Sequence, residues 1–293
     1  MNIGQWLIKA GKYLEKRNQG AGRIDAEVLL AHAVGMDRVS LYREGLMELS
    51  REQEALFRSL VERRAAGEPA AYITGRKEFM GLDFAVSPAV LIPRPETELL
   101  VEVALGYLKK IDLSNGAKPP LVVDVGTGSG AIAVSLAVKM ERAKIYATDI
   151  SPAALKIARE NAKRLAGEKV EFIPGDLMDS LKAFLPRGSV DLVTANLPYV
   201  PTGDIQSLMA DVRDYEPRLA LDGGADGLDL YRRLVPEAFE MLSPGGLLLM
   251  EIDPGQVRSI SKILGSRWII QVFKDLAGRE RLISAEKDNT NPE

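Results

Sequence analysis

The sequence predicts a doubly wound α/β protein with a mostly parallel sheet, preceded by a small bundle of helices. Three observations lead there. From residue 119 onward, short apolar runs alternate with helical patterns, as a parallel sheet with helices on both faces requires. A glycine-rich turn lies between the first of these runs and its helix, where such folds bind ligands. Residues 3 to 66 carry helical apolar spacing alone, so they are expected to close a core of their own.

In that first stretch Trp6, Leu7, Ala10 and Leu14 share one helix face. Val28, Leu29, Ala33 and Met36 share a second, and Leu56, Leu60 and Val61 a third. Asp25 is placed to cap the second helix, and Ser50 with Gln53 to form a capping box on the third. The lone histidine, His32, is expected to pack on a helix face. A helical domain is therefore set at residues 1–66. Residues 67–95 are punctuated by Gly67, Pro69, Gly75, Gly81, Pro88, Pro93 and Pro95 but keep apolar residues such as Phe79 and Phe84. That combination reads as a hairpin-like connector. Glu96, Thr97 and Glu98 follow Pro95 and open a helix, with acids in its first turn to suit the helix dipole.

The sheet domain spans residues 96–284. Strands are expected at Leu121–Val125, Lys144–Asp149, Val170–Ile173, Asp191–Ala195 and Gly246–Ile252, then near Trp268–Phe273 and Arg281–Ser284. Helices are expected at Gly130–Met140, Pro152–Leu165, Leu228–Leu242 and near Val257–Leu264. Residues 285–293 are polar and are expected to fray.

Composition narrows the chemistry. The 293 residues include no cysteine and a single histidine. That excludes a Cys/His zinc site, and a histidine-activated Ser or Cys nucleophile in the sheet half. A net charge of -3 argues against binding nucleic acid by bulk phosphate attraction. No signal peptide or membrane span is read, so a cytoplasmic protein is expected, with nothing demanding an oligomer and a monomer the simplest reading.

The glycine turn reads Asp124-Val125-Gly126-Thr127-Gly128-Ser129-Gly130. Glycines there let the backbone approach a ligand closely. The spacing Gly-x-Gly-x-Gly after an acid differs from the dinucleotide pattern Gly-x-Gly-x-x-Gly. Asp149 ends the next strand, about 20 residues on, where an acid bonds ribose hydroxyls. Together these resemble class I methyltransferases that use S-adenosylmethionine. The resemblance implies that Asp124 lies by the methionine end of the cofactor and that Gly126, Thr127, Gly128, Ser129 and Gly130 line methionine and ribose. It implies further that Asp149 holds both ribose hydroxyls, that Asp176 accepts from the adenine amino group, and that Leu177 lies against the ring. Asp176 can equally be read as a helix cap.

Asn196-Leu197-Pro198-Tyr199 follows the fourth strand of the sheet. A planar nitrogen has a delocalised lone pair and attacks a sulfonium methyl poorly. Two acceptors on its two N–H bonds would aim it in line and favour a pyramidal transition state. The Asn196 side chain supplies one acceptor and the Leu197 carbonyl the other. Pro198 restricts Leu197 to an extended conformation, and Tyr199 offers a flat face for stacking. The run resembles the Asn-Pro-Pro-Tyr motif of amino-methyltransferases, with leucine in place of the first proline. It does not choose among glutamine, adenine and cytosine, and ribosomal RNA adenine dimethyltransferases share the Asn-Leu-Pro-Tyr spelling.

The flanking segments bear on that choice. Pro69-Ala70-Ala71-Tyr72-Ile73-Thr74-Gly75, Leu91-Ile92-Pro93-Arg94-Pro95-Glu96-Thr97-Glu98, Tyr215-Glu216-Pro217-Arg218 and Asp275-Leu276-Ala277-Gly278 resemble the release-factor glutamine methyltransferase family (HemK/PrmC). The likeness covers nearly the whole chain. Asp253 departs from it, since the family has glycine there, and bears on the local turn. Membership implies N5 methylation of the glutamine in the Gly-Gly-Gln loop of peptide chain release factors, with the N-terminal helices holding the body of the factor. The enzyme alternative is an RNA or DNA adenine N6-methyltransferase. Glu216 is a candidate proton acceptor, although a methylated amide is acidic enough for water to deprotonate.

Overall fold

The computed structural model describes residues 1–17, 22–114 and 118–288. It divides into two units, residues 1–76 with 209–215, and residues 77–208 with 216–293.

The first unit holds α1 (Ile3–Glu15), α2 (Gly22–Val34), α3 (Arg38–Arg43), α4 (Arg51–Ala65) and α5 (Ala70–Thr74). Asn2 and Gln5 form a capping box on α1, and Ser50 and Gln53 form the expected one on α4. Trp6, Leu14, Leu29, Leu30, Phe57 and Leu60 build the core, with the rings of Trp6 and Phe57 edge to face at 5.9 Å. Two readings are corrected here. Asp25 lies inside α2 rather than capping it, and its carboxylate pairs with the buried Arg64 at 2.7 Å. His32 is exposed instead of packed, because the inner face of α2 is taken by Ala26, Leu29, Leu30 and Ala33. Sequence order also hid a member of this unit. A short helix from the sheet half of the sequence, Ala210–Tyr215, folds with the bundle, where Arg64 also reaches Asp211 at 3.5 Å. The Tyr215 hydroxyl donates to the Ala66 carbonyl at 3.2 Å.

The second unit opens with a hairpin of β1 (Arg76–Phe79), whose first residue closes the first unit, and β2 (Leu82–Ala85). Met80 and Gly81, with φ of 54° and 77°, make the two-residue left-handed turn that matches strand twist. Glu98 anchors that turn by accepting from the Met80 N–H at 2.6 Å. Next come α6 (Glu98–Ser114), β3 (Leu121–Val125), α7 (Ala131–Lys139), β4 (Lys144–Asp149), α8 (Pro152–Leu165), β5 (Val170–Pro174) and β6 (Val190–Ala195). With Ala210–Tyr215 numbered α9, the chain ends with α10 (Asp229–Met241), β7 (Leu242–Glu251), α11 (Val257–Leu264), β8 (Trp268–Lys274) and β9 (Glu280–Lys287).

The seven-stranded sheet runs β5-β4-β3-β6-β7-β9-β8. The pairs from β5 to β7 are parallel, and β9 is antiparallel to both its neighbours. Alternate residues of each central strand serve opposite cores. Val122, Leu247 and Leu249 pack with α6 and α7, whereas Val123, Val125 and Leu248 pack with α10 and α11. Order reverses between β3 and β6, so a crevice opens at their carboxyl ends. One boundary is corrected. Residues 285–287 were expected in a frayed tail but continue β9. Ala285 is fully buried, paired to Leu248 on one side and Ile270 on the other. A strand lying between two neighbours gains a ladder on both edges, which outweighs the polar composition around Ala285. Among the described residues, no helix is long and apolar enough to cross a membrane, and no cluster of His, Asp or Glu could hold a metal.

Candidate active site

A cavity of about 360 Å³ occupies the crevice, a volume suited to a cofactor-sized ligand. Its first wall is the glycine turn. Gly126, Gly128 and Gly130 all have positive φ, between 56° and 81°, where L side chains are strained. A Cβ on Gly126 would meet Leu197 Cδ2 at 2.9 Å, while one on Gly128 would meet, among the described residues, no atom beyond its chain neighbours within 4 Å. Gly128 therefore faces the space a ligand would fill. Gly130 serves packing instead, since a Cβ there would press on Ala158 of α8 at 3.2 Å. The fully buried Asn161 of α8 ties the turn to the hairpin, donating to the carbonyls of Ser129 and Ala85 at 2.9 Å each.

Asp124 stands beneath this turn. Its carboxylate accepts from Thr127 Oγ1 at 2.7 Å and from Thr194 Oγ1 at 2.8 Å. Burial pushes the carboxyl up to about 6 against those two donors, and the nearby Asp149 carboxylate adds to the rise.

Asp149 ends β4. It accepts the Gly128 N–H on one oxygen and the Ser151 N–H on the other, both at 2.8 Å. The acid thus ties the glycine turn to the start of α8, whose N-cap is Ser151. Burial raises its pKa while the backbone donors oppose the rise. Asp176 caps no helix. It pairs with Arg233 of α10 at 2.6 Å, and both residues line the cavity. Leu177 adopts φ of 49°, a conformation costly for a bulky residue. Flanking hydrogen bonds hold it there, the Thr148 hydroxyl donating to the Leu177 carbonyl at 2.8 Å and the Met178 N–H to Glu237 at 3.1 Å. Its side chain is buried against the cavity wall.

The opposite wall carries Asn196, Leu197 and Pro198. Asn196 Nδ2 donates to Thr97 Oγ1 at 3.1 Å, and Thr97 Oγ1 donates to Glu251 Oε2 at 2.6 Å. Thr97 and Glu251 are 4% and 2% exposed. Burial lifts the Glu251 pKa, opposed first by the Thr97 hydrogen bond and then by the Arg281 charge. With Nδ2 engaged, the amide presents Oδ1 as its other end. The buried Tyr231 hydroxyl lies 3.4 Å from the Leu197 carbonyl but 2.5 Å from that of Glu251, and its single proton goes to the shorter bond. The Leu197 carbonyl keeps acceptor capacity.

A third wall comes from residues 89–97 and 217–220. The buried Glu216 clamps the two segments together, pairing with Arg94 and accepting the Ile92 N–H at 3.2 Å. Both of its oxygens are engaged and it does not line the cavity, which makes it a structural tie. Asp253 starts the 3-10 turn Pro254–Gln256 in a capping box with Gln256, and Gln256 Nε2 donates to the Tyr199 carbonyl at 2.9 Å. The aspartate therefore supports a turn that fixes the end of the Asn196 motif.

Residues 5–75 match the model of the PrmC N-terminal domain, and residues 120–264 match a methyltransferase domain. The release factor glutamine methyltransferase of Moorella thermoacetica is 45% identical over 289 residues, 97% of this chain and 98% of that protein. The release factor glutamine methyltransferase of Geobacter sulfurreducens is 44% identical over 275 residues, 92% of each. The chain belongs to the release factor glutamine methyltransferase family.

Within that family's frame, the structure brings most of the expected residues to one cavity: Gly126, Thr127, Gly128, Ser129, Asp149, Asp176, Leu177, Asn196, Leu197 and Pro198. Three expectations shift. Asp124 does not line the cavity; it is fully buried, with its carboxylate held by Thr127 and Thr194. Gly130 is a packing glycine. Tyr199 does not line the cavity either; its ring packs on the core and its hydroxyl lies 3.4 Å from Glu251 Oε1. Sequence reading missed Thr194, Asn161, Arg233 and Glu251 as site supports. Only the alternation of β6 could have flagged Thr194, a polar residue at an inward position among apolar ones.

Proposed function

We propose that this methyltransferase transfers the methyl group of S-adenosylmethionine to N5 of the glutamine in the Gly-Gly-Gln loop of peptide chain release factors. Full-length relatedness to release factor glutamine methyltransferases supports the substrate. The observation that carries the chemistry is the Asn196 amide, tied by Nδ2 so that Oδ1 is its acceptor end, next to the Leu197 carbonyl.

The cavity residues fit the cofactor. The backbone at Gly126 and Gly128 admits close approach, Asp149 offers carboxylate lone pairs at the end of β4, and Leu177 supplies an apolar wall. Bound S-adenosylmethionine supplies an electrophilic methyl on a sulfonium. Asn196 Oδ1 and the Leu197 carbonyl would each accept one N–H of the substrate amide. That grip turns the nitrogen lone pair out of conjugation and aims it for in-line attack. The proton lost from the methylated amide goes to water, since Glu216 is paired with Arg94 and does not line the cavity. We assign the body of the factor to the N-terminal helical unit, on the strength of its match to the PrmC N-terminal domain. Such a substrate places the reaction where translation terminates, in the cytoplasm.

Labelled S-adenosylmethionine, the protein and a release factor test this reading. Label should enter the wild-type factor and not one whose loop glutamine is replaced by alanine. Equal labelling of both overturns it, and label in RNA or DNA with steep salt dependence would favour the adenine alternative.

A further inference from the structure

The Asn196 grip needs the amide in one of its two orientations. A carboxamide rotated by 180° has nearly the same shape but presents two donors in place of an acceptor. A substrate N–H facing Asn196 Nδ2 would be repelled, so an Asn196 free to rotate would hold the wrong face toward the acceptor for part of the time.

Two residues outside the four-residue motif prevent this. Thr97 sits in the 3-10 turn Pro95–Thr97 before α6, and Glu251 ends β7. Both are buried, and they are separated by 154 positions in the chain. A carboxylate is an acceptor only, and a hydroxyl has one proton. With Glu251 ionised, Thr97 therefore gives its proton to Glu251 Oε2 at 2.6 Å and turns a lone pair toward Asn196 at 3.1 Å. Only the NH₂ end of Asn196 can meet that lone pair. We propose that Thr97 and Glu251 are positioning residues: a one-way hydrogen-bond chain, Asn196 to Thr97 to Glu251, fixes the Asn196 amide with Oδ1 toward the acceptor nitrogen. This rests on the reading of a glutamine amide as acceptor.

The chain predicts a role in turnover and little in donor binding. Thr97→Val keeps the shape of the side chain and removes the hydroxyl. It should lower kcat by roughly 10- to 100-fold while the S-adenosylmethionine Kd stays within about 3-fold. Thr97→Ser restores the hydroxyl and should recover most of the rate. The discriminating measurement is Thr97→Val in an Asn196→Ala background, where no amide remains to orient. There it should change the residual kcat by less than about 2-fold. A full further 10-fold loss in that background would show that Thr97 acts on something other than Asn196 and would overturn the inference. So would a Thr97→Val enzyme with wild-type kcat. The comparison of wild-type and loop-substituted release factor with unmutated enzyme, run alongside, tests the glutamine reading separately.

Discussion

Thr194 of β6 donates its hydroxyl to Asp124 of β3 at 2.8 Å, and the two residues are register partners across the strand pair where the sheet order reverses. The second oxygen of the same carboxylate accepts from Thr127 in the glycine turn. One buried acid therefore joins the two strands that frame the crevice and holds the turn between them. Its work is done from beneath the cavity, which is why it can be fully buried and still govern the site.

That position has a pH signature. Asp124 titrates near 3.8 in the unfolded chain and at about 6 when folded. Between those values the folded protein keeps a proton that the unfolded chain has lost, so stability from this group is present below about pH 4, falls as pH rises to about 6, and is level above. A shift of about two units corresponds to roughly 3 kcal/mol. Asp124→Asn cannot titrate. Urea melts should show the wild type losing stability relative to this variant between pH 4.5 and 7.5. A difference that stays constant would mean the carboxylate is ionised in the fold throughout.

Asn196→Ala should separate chemistry from cofactor binding. The side chain lies on the cavity wall that we assign to the acceptor, and we assign the donor to Asp149 and the glycine turn. We expect the S-adenosylmethionine Kd to move by less than about 3-fold and kcat to fall by about 10²- to 10⁴-fold. Calorimetry and steady-state labelling of a release factor measure the two. Equal losses in both would assign Asn196 to the cofactor instead.

Asp149→Ala should show the reverse pattern. The carboxylate holds the Gly128 and Ser151 N–H groups and lines the cavity, and we assign it to the ribose hydroxyls. Losing charge-assisted bonds of about 1.5–3 kcal/mol should weaken donor binding by roughly 10- to 100-fold. The kcat at saturating donor should stay within about 5-fold, because no reacting atom depends on this residue. Unchanged affinity would remove Asp149 from the cofactor site.

Local pattern made the central sheet legible in sequence. β3, β4, α8 and α11 fall on the expected residues, since each is a run whose period or cap is unambiguous. The cavity wall built by the glycine turn and Asp149 was legible for the same reason: a strand, a glycine turn and an acid at a fixed offset are neighbours in sequence. Long-range partners were not. Thr97 and Glu251, or Arg64 and Asp211, meet only because of the fold. Nothing in the run Ala210–Tyr215 marks it as part of the helical bundle. The roles of Asp124 and Tyr199 shifted because sequence gives a residue's address near a site but not whether a neighbour already holds its polar atoms.

The three glycines of the turn should respond differently to alanine, although all share positive φ and each change should carry the left-handed penalty of about 1–2 kcal/mol. Gly130→Ala also forces a Cβ against the backbone and side chain of Ala158 at 3.3 and 3.2 Å, an overpacking of roughly 1–3 kcal/mol more. Gly126→Ala meets only the end of the Leu197 side chain, at 2.9 Å, which can turn aside at smaller cost. Gly128→Ala meets, among the described residues, no atom beyond its chain neighbours within 4 Å and adds its methyl to the lining of the cavity. Thermal melts should therefore rank the stability losses Gly130 first, Gly126 second and Gly128 last. The S-adenosylmethionine Kd should rise most for Gly128→Ala, since its added methyl takes space from a ligand rather than from the protein. A Gly128 variant with intact donor affinity would show that the cofactor lies elsewhere in the crevice.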